Sequence, residues 1–175
     1  MAAKQVLQVV VMGVSGSGKT TVAQLLAQRW GARLAEADEF HSAANIAKMT
    51  SGHPLNDADR EPWLEAIAGW LTERAASGET AVVTCSALKR SYRDLLRTAG
   101  AGVRFVHLAG SKELIGDRIH DRTGHFMPPE LLDSQFNDLQ PLADDEPGVT
   151  LDVGQPPERL AEQAEAALTA EEISS

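Results

Sequence analysis

Gly13-Val14-Ser15-Gly16-Ser17-Gly18-Lys19-Thr20 decides the fold. The octapeptide fits G-x-x-x-x-G-K-[ST], and both flanks suit it. Residues 6–12 form an apolar, β-branched run that reads as a buried strand. After the motif, Val22, Leu25, Leu26 and Trp30 recur at helical spacing within residues 21–30. Glycines between a strand and a helix let consecutive N–H groups turn inward around a phosphate, and the helix N-terminus adds partial positive charge. In such a loop Gly13, Val14, Ser15, Gly16, Ser17, Gly18 and Thr21 line the phosphates. Lys19 reaches the β- and γ-phosphates, and the Thr20 hydroxyl holds Mg²⁺. The motif reads as a nucleoside-triphosphate site; the bland alternative is a glycine turn.

The 175 residues suffice for one domain with a full core. A hydrophobic share of 43% and a charged share of 23% are those of a soluble globular chain. The net charge of −9 argues against a nucleic-acid partner but leaves room for a small anionic substrate at a local basic cluster. The single cysteine, Cys85, rules out an intrachain disulfide and fits a reducing compartment. No segment reaches the roughly 20 apolar residues of a membrane span. The N-terminal apolar run, interrupted by Gln8, does not resemble a signal peptide. A cytoplasmic protein without a membrane partner is expected.

Strand and helix signals alternate. Strands are expected at residues 32–37, 80–84, 103–108 and 149–153 in addition to the first, and helices at 42–49, 60–76, 88–98, 112–121, 131–139 and 157–168. The pattern predicts an α/β fold, a five-stranded parallel sheet with helices on both faces. A single domain over residues 1–170 is expected, with a frayed tail at 171–175.

A P-loop does not by itself name a reaction. A guanine-reading Asn-Lys-x-Asp is missing, and the chain is short for most motor or AAA-type ATPases. The third strand ends Val82-Val83-Thr84-Cys85-Ser86, without the acid such motors carry there. What remains is a three-layer architecture of the nucleoside-monophosphate-kinase type, with a substrate-binding insert at about 39–76 and a lid at about 118–130. Glu36-Ala37-Asp38 brings two carboxylates to the carboxyl edge of the sheet. Strand alternation would point both the same way, one toward a Mg²⁺ shell and the other toward a substrate hydroxyl. The alternative is two solvated loop acids.

Asp38-Glu39-Phe40-His41, Asn45-Ile46-Ala47-Lys48-Met49, Gly52, Pro54-Leu55-Asn56-Asp57-Ala58-Asp59-Arg60 and Pro62-Trp63-Leu64 closely resemble the fingerprint of gluconate kinases. So do Cys85-Ser86-Ala87-Leu88-Lys89, Tyr92-Arg93-Asp94, Gly124-His125-Phe126 and Ser134-Gln135-Phe136. The resemblance implies ATP- and Mg²⁺-dependent phosphorylation of D-gluconate at its 6-hydroxyl, and often a homodimer. A related kinase of another sugar acid or of shikimate is the alternative, and a nucleotide-binding regulator is the non-enzymatic one. Where the family usually has an aspartate, this chain has Glu36, one methylene longer; where proline commonly follows the histidine, it has Ser42.

Roles follow for particular residues. Asp38 is expected to accept the hydroxyl proton, with Glu36 and Thr20 at the metal. Arg60, placed as in shikimate kinases, suits a substrate carboxylate, unless it is used on Asp57 or Asp59. Lys89 and Arg93 stand i, i+4 on one expected helix face, where they would grip substrate or phosphate; the alternative is a solvated basic face. Ser86 and His41 are candidates for substrate hydroxyls. Arg118 and Arg122, also i, i+4, enter the lid, where arginines neutralise developing charge. His125 reads as lid structure, and the backbone of Gln155-Pro156-Pro157 as an adenine pocket. Trp30, Trp63 and Trp70 read as packing.

Overall fold

The apolar run before the glycine loop becomes the centre of the sheet. In the computed structural model, which describes residues 6–14, 16–52, 56–121 and 129–173, five strands form one parallel sheet. They are β1 (Gln8–Met12), β2 (Arg33–Glu36), β3 (Ala81–Thr84), β4 (Val103–Ala109) and β5 (Gly148–Asp152), ordered β2-β3-β1-β4-β5. The helices are α1 (Lys19–Trp30), α2 (Ala43–Thr50), α3 (Asp57–Ala76), α4 (Arg90–Leu96), α5 (Lys112–Asp121), α6 (Pro129–Asp138) and α7 (Pro157–Ile173).

Every residue of β1 is buried, as a strand covered on both faces must be. Alternation divides it between two cores. Val9 and Val11 pack with Val22 and Leu26 of α1 and Leu160 and Leu168 of α7. Val10 and Met12 pack with Trp63, Leu64 and Ile67 of α3 and with Phe105 of β4. Among the described residues no helix is long and apolar enough to cross a membrane.

Four details differ from the sequence reading. Helix α3 begins at Asp57, because the Asn56 side chain accepts from the Asp59 amide while the Asp59 carboxylate accepts from the Asn56 amide. This capping box fixes the start three residues before the expected one. Helix α4 is shorter than expected, with Lys89 outside it as the N-cap and a 3₁₀ turn, Arg97–Ala99, after it. The extended chain of β2 stops at Glu36 and turns into a 3₁₀ segment, Ala37–Phe40, so strand alternation does not align Glu36 with Asp38. Helix α7 runs to Ile173, past the expected start of a frayed tail, as its alanine-rich sequence favours.

The face covered by α3 and α4 also holds polar groups. His107 of β4 is 2% exposed, and neither ring nitrogen has a hydrogen-bond partner among the described residues. Burial, and then the charge of Arg93, push its pKa from 6.5 down to about 4. The folded state therefore keeps this imidazole neutral while the unfolded chain protonates it. The stability it contributes is complete above pH 6.5 and is lost as the pH falls from there toward 4. In full it amounts to roughly 3 kcal/mol. Chemical unfolding at a series of pH values should show that loss, and His107→Leu should flatten it. An unchanged pH slope in the variant would contradict the assignment.

Candidate active site

Parallel strands deliver all their carboxyl ends to one edge, and the candidate residues gather there. The phosphate loop leaves β1 through Gly13, at φ +148, where an added Cβ would lie 2.8 Å from both the Leu108 carbonyl oxygen and Ser17 Oγ. Gly18, in the left-handed region at φ 94, opens α1 without a side-chain cap, and the first turn carries no acid. Its N–H groups are thus left for an anion from outside. Lys19 Nζ lies over the loop, donating to the carbonyls of Gly13 at 3.0 Å and Val14 at 3.1 Å. Ser17 Oγ is buried without a partner among the described residues. A cavity of about 380 Å³ adjoins, lined by Gly16, Ser17, Gly18, Thr21, Val22, Arg118, Gly154, Gln155, Pro156, Pro157 and Leu160. Arg118 of α5 donates to the Val153 carbonyl, which ties it to the end of β5. Ser15, Arg122 and His125 lie outside the described residues.

The second half of the site lies across the same edge. Glu36 ends β2 opposite Thr84 in the ladder. The turn beyond it is anchored by Trp63 Nε1, which donates to the Ala37 carbonyl at 2.7 Å. The backbone of Asp38 belongs to this turn, while its side chain lies outside the described residues. His41 stacks on Trp63 with ring centroids 4.4 Å apart and planes 9° from parallel.

Arg60 and Lys89 converge on one tyrosine. Arg60 Nη1 donates to the Tyr92 hydroxyl at 2.8 Å, and the guanidinium lies 5.7 Å from the ring centroid. Lys89 Nζ sits 5.6 Å from the same centroid and pairs with Asp57 Oδ1 at 3.2 Å. The Tyr92 hydroxyl itself donates to Asp57 Oδ1 at 2.5 Å. The Tyr92 hydroxyl first, then the Lys89 ammonium, hold the Asp57 carboxyl below the usual carboxylate range. The hydrogen bond to Asp57 in turn raises Lys89. Arg60 is thus not consumed by an ion pair with Asp57 or Asp59; Asp59 pairs with Lys48 at 2.6 Å. Sequence reasoning missed the hub formed by Tyr92 and Asp57. Its signal was the chain's single tyrosine, three positions after Lys89.

One expected substrate contact is corrected. Arg93 does not share a face with Lys89, whose backbone is extended at φ −102, ψ 144. Arg93 points inward and is wholly buried, its Nε and Nη2 on Glu146 at 2.5 and 3.0 Å. Ser86 sits at the β3 edge, and its carbonyl accepts from the Gly13 amide at 3.2 Å.

Among the described residues no group of three or more His, Cys, Asp or Glu gathers as a metal cage. Thr20 and Glu36 supply isolated hard oxygens. Magnesium takes one or two protein oxygens and fills its octahedron with phosphates and water. The donor set therefore fits a magnesium ion carried in with a nucleotide.

An uncapped, glycine-built phosphate loop between the central strand of a parallel sheet and its helix, beside a cavity that Arg118 lines, defines a P-loop nucleotide-binding protein. A family model described as "AAA domain" matches residues 9–142. The gluconokinase of Gluconobacter oxydans (strain 621H) is 49% identical over 154 residues, spanning 88% of this chain and 86% of that protein. The crystal structure of a sugar kinase from Janibacter sp. HTCC2649 shares 52% identity at a TM-score of 0.88, covering 94% of this chain and 95% of that one. That of a gluconokinase from Sinorhizobium meliloti 1021 shares 46% identity at a TM-score of 0.86, covering 96% and 94%. The chain belongs to the gluconokinase family of P-loop kinases. The relatives thus narrow the broader AAA description to the kinase class expected from the sequence.

Gly13→Ala tests the loop geometry. The added methyl meets the Leu108 carbonyl and Ser17 in a backbone conformation alanine rarely adopts, a strain of about 1–3 kcal/mol. Titration with ATP should show affinity reduced at least ten-fold, and retained affinity would contradict the geometry.

Proposed function

We propose that this chain transfers the γ-phosphoryl group of ATP to the 6-hydroxyl of D-gluconate, giving 6-phosphogluconate and ADP. The observation that carries it is the phosphate loop sharing one sheet edge with the Arg60–Lys89 pair, in a chain 49% identical to a gluconokinase. A sugar acid offers both a hydroxyl to phosphorylate and a carboxylate for those cations.

Lys19, which donates to the Gly13 and Val14 carbonyls, would reach the β- and γ-phosphates of the nucleotide. Loop amides from Gly13 to Thr21, Ser15 included, would surround the phosphates, with adenine against the backbone of Gln155, Pro156 and Pro157. Thr20 and Glu36 would hold Mg²⁺, which when bound neutralises charge on the phosphates.

On the acceptor side, Arg60 would take the gluconate carboxylate with its planar fork, and Lys89 would reinforce it. Asp57 holds Lys89 directly and Arg60 through the Tyr92 hydroxyl, and it would yield part of that hub to the incoming carboxylate. His41 and Ser86 would orient hydroxyls. Asp38 would accept the 6-hydroxyl proton, late in a loose transition state, so its chief effect is orientation. Arg118, with Arg122 beyond the described residues, would neutralise the developing charge as the site closes. The same proposal takes the enzyme as a cytoplasmic homodimer with no nucleic-acid or membrane partner, consistent with its single cysteine and net charge of −9.

ADP release with Mg·ATP across gluconate, other aldonic acids, shikimate and simple polyols tests the assignment. Gluconate should give the fastest turnover. Asp38→Asn should lower kcat by about 10²–10⁴-fold, and Arg60→Ala should raise the gluconate KM about ten-fold or more. ADP release no faster with gluconate than without it would sink the proposal.

A further inference from the structure

The loop that joins β3 to α4 carries two of the residues assigned to the acceptor, Ser86 and Lys89; the ladder reaches the Ser86 carbonyl, and beyond it no strand pairs with the loop among the described residues. Between Ser86 and Lys89 lies Ala87, at φ 45, the one non-glycine with positive φ among the described residues. It is 1% exposed. A left-handed alanine relaxes toward other conformations unless its surroundings prevent it.

The restraint comes from below. Arg93 Nη1 donates to the carbonyls of Ala87 at 2.9 Å and Leu88 at 3.4 Å. The guanidinium is itself fixed by the two-point pairing with Glu146 and by Nη2 donating to the Pro141 carbonyl at 3.5 Å. Glu146 Oε1 also accepts from the Ala143 amide at 3.2 Å. Gln140 closes the frame: its amide donates to the Leu88 carbonyl at 2.7 Å, and its Oε1 accepts from the Arg90 amide at 2.8 Å.

Both partners of the Arg93–Glu146 pair have fully buried side chains. Such a pair gives little net stability over apolar residues of the same shape, because desolvation offsets the attraction. What an apolar pair cannot do is donate to two successive carbonyls while staying locked in place. Burial raises the Glu146 carboxyl, but the Arg93 bond, the Ala143 amide and the charges of Arg93 and Arg90 together lower it overall, so Glu146 stays ionised and the fork stays paired.

We infer that Arg93 and Glu146 are positioning residues for the acceptor: a buried clamp that holds the Ser86–Lys89 loop in its strained form and so sets the pocket for the sugar acid. The role rests on the gluconate assignment for the identity of that acceptor. Nucleotide binding is held chiefly elsewhere: the phosphate loop grows from β1, which is paired on both sides, and it meets the clamped loop at the ladder end, where the Gly13 amide donates to the Ser86 carbonyl.

Two variants separate positioning from simple structure. Arg93→Lys keeps the buried charge pair and loses the fork. The double variant Arg93→Met with Glu146→Leu removes both charges and keeps the volume apolar. In each variant whose melting transition remains cooperative, the KM for gluconate should rise ten-fold or more while the KM for ATP stays within two-fold. A gluconate KM within two-fold of the parent, or the two KM values rising together, would overturn the inference. Should neither variant fold, native-state hydrogen exchange on the unaltered chain decides: the amides of Arg90 and Gln140, which donate within this frame, should exchange as slowly as those of β1 and β3, and exchange at surface-loop rates overturns the clamp. Gluconate turnover by the parent is measured first. If the parent phosphorylates a different acid, the acceptor assignment fails, while the clamp is tested by the same KM comparison with that acid.

Discussion

The hydrogen bond from the Gly13 amide to the Ser86 carbonyl, at 3.2 Å, joins the two halves of the site. It continues the ladder just past the point where the Cys85 amide meets the Val11 carbonyl at 3.1 Å, so the chain leaves β1 and β3 in step. One exit becomes the phosphate loop and the other the acceptor loop. Because β1 occupies the middle of the sheet, any residue placed just beyond these strands faces the same edge. The distance over which a phosphoryl group must travel is therefore set by backbone pairing, before any side chain is chosen.

Two helix N-termini at this edge receive opposite treatment. Helix α3 is closed by the Asn56–Asp59 capping box and carries acids in its first turn, so its dipole is satisfied internally. Helix α1 begins at Gly18 with neither cap nor acid, and its donors are held for an anion. Exposed ion pairs such as Arg29–Glu165 and Arg33–Glu79 add little stability by comparison.

Much of this was legible because it is local. The phosphate loop is eight consecutive residues whose flanks show strand and helix periodicity, and the βα alternation follows from the same windows. The surroundings of Lys89 were less legible because they are assembled across the chain. Tyr92 meets Asp57 over 35 positions and Arg93 meets Glu146 over 53. Helical spacing made Lys89 and Arg93 look like neighbours on one face, but no periodicity reveals that the helix begins after Lys89 and that a distant glutamate draws Arg93 inside. Likewise, alternation between Glu36 and Asp38 holds only while the chain stays extended, and the 3₁₀ turn at Ala37 ends it. The family resemblance was legible because it too rests on runs of consecutive residues.

The central claim is that this sheet edge brings the γ-phosphoryl group of ATP to a primary hydroxyl of a sugar acid. The phosphorus NMR spectrum of the product, recorded with proton coupling, tests it directly. A phosphate on the terminal methylene of gluconate is split by two protons, and the account predicts that pattern together with the appearance of ADP. A phosphate signal split by a single proton would place the transfer on a secondary hydroxyl. That result, or ADP without any new phosphate ester, would contradict the account.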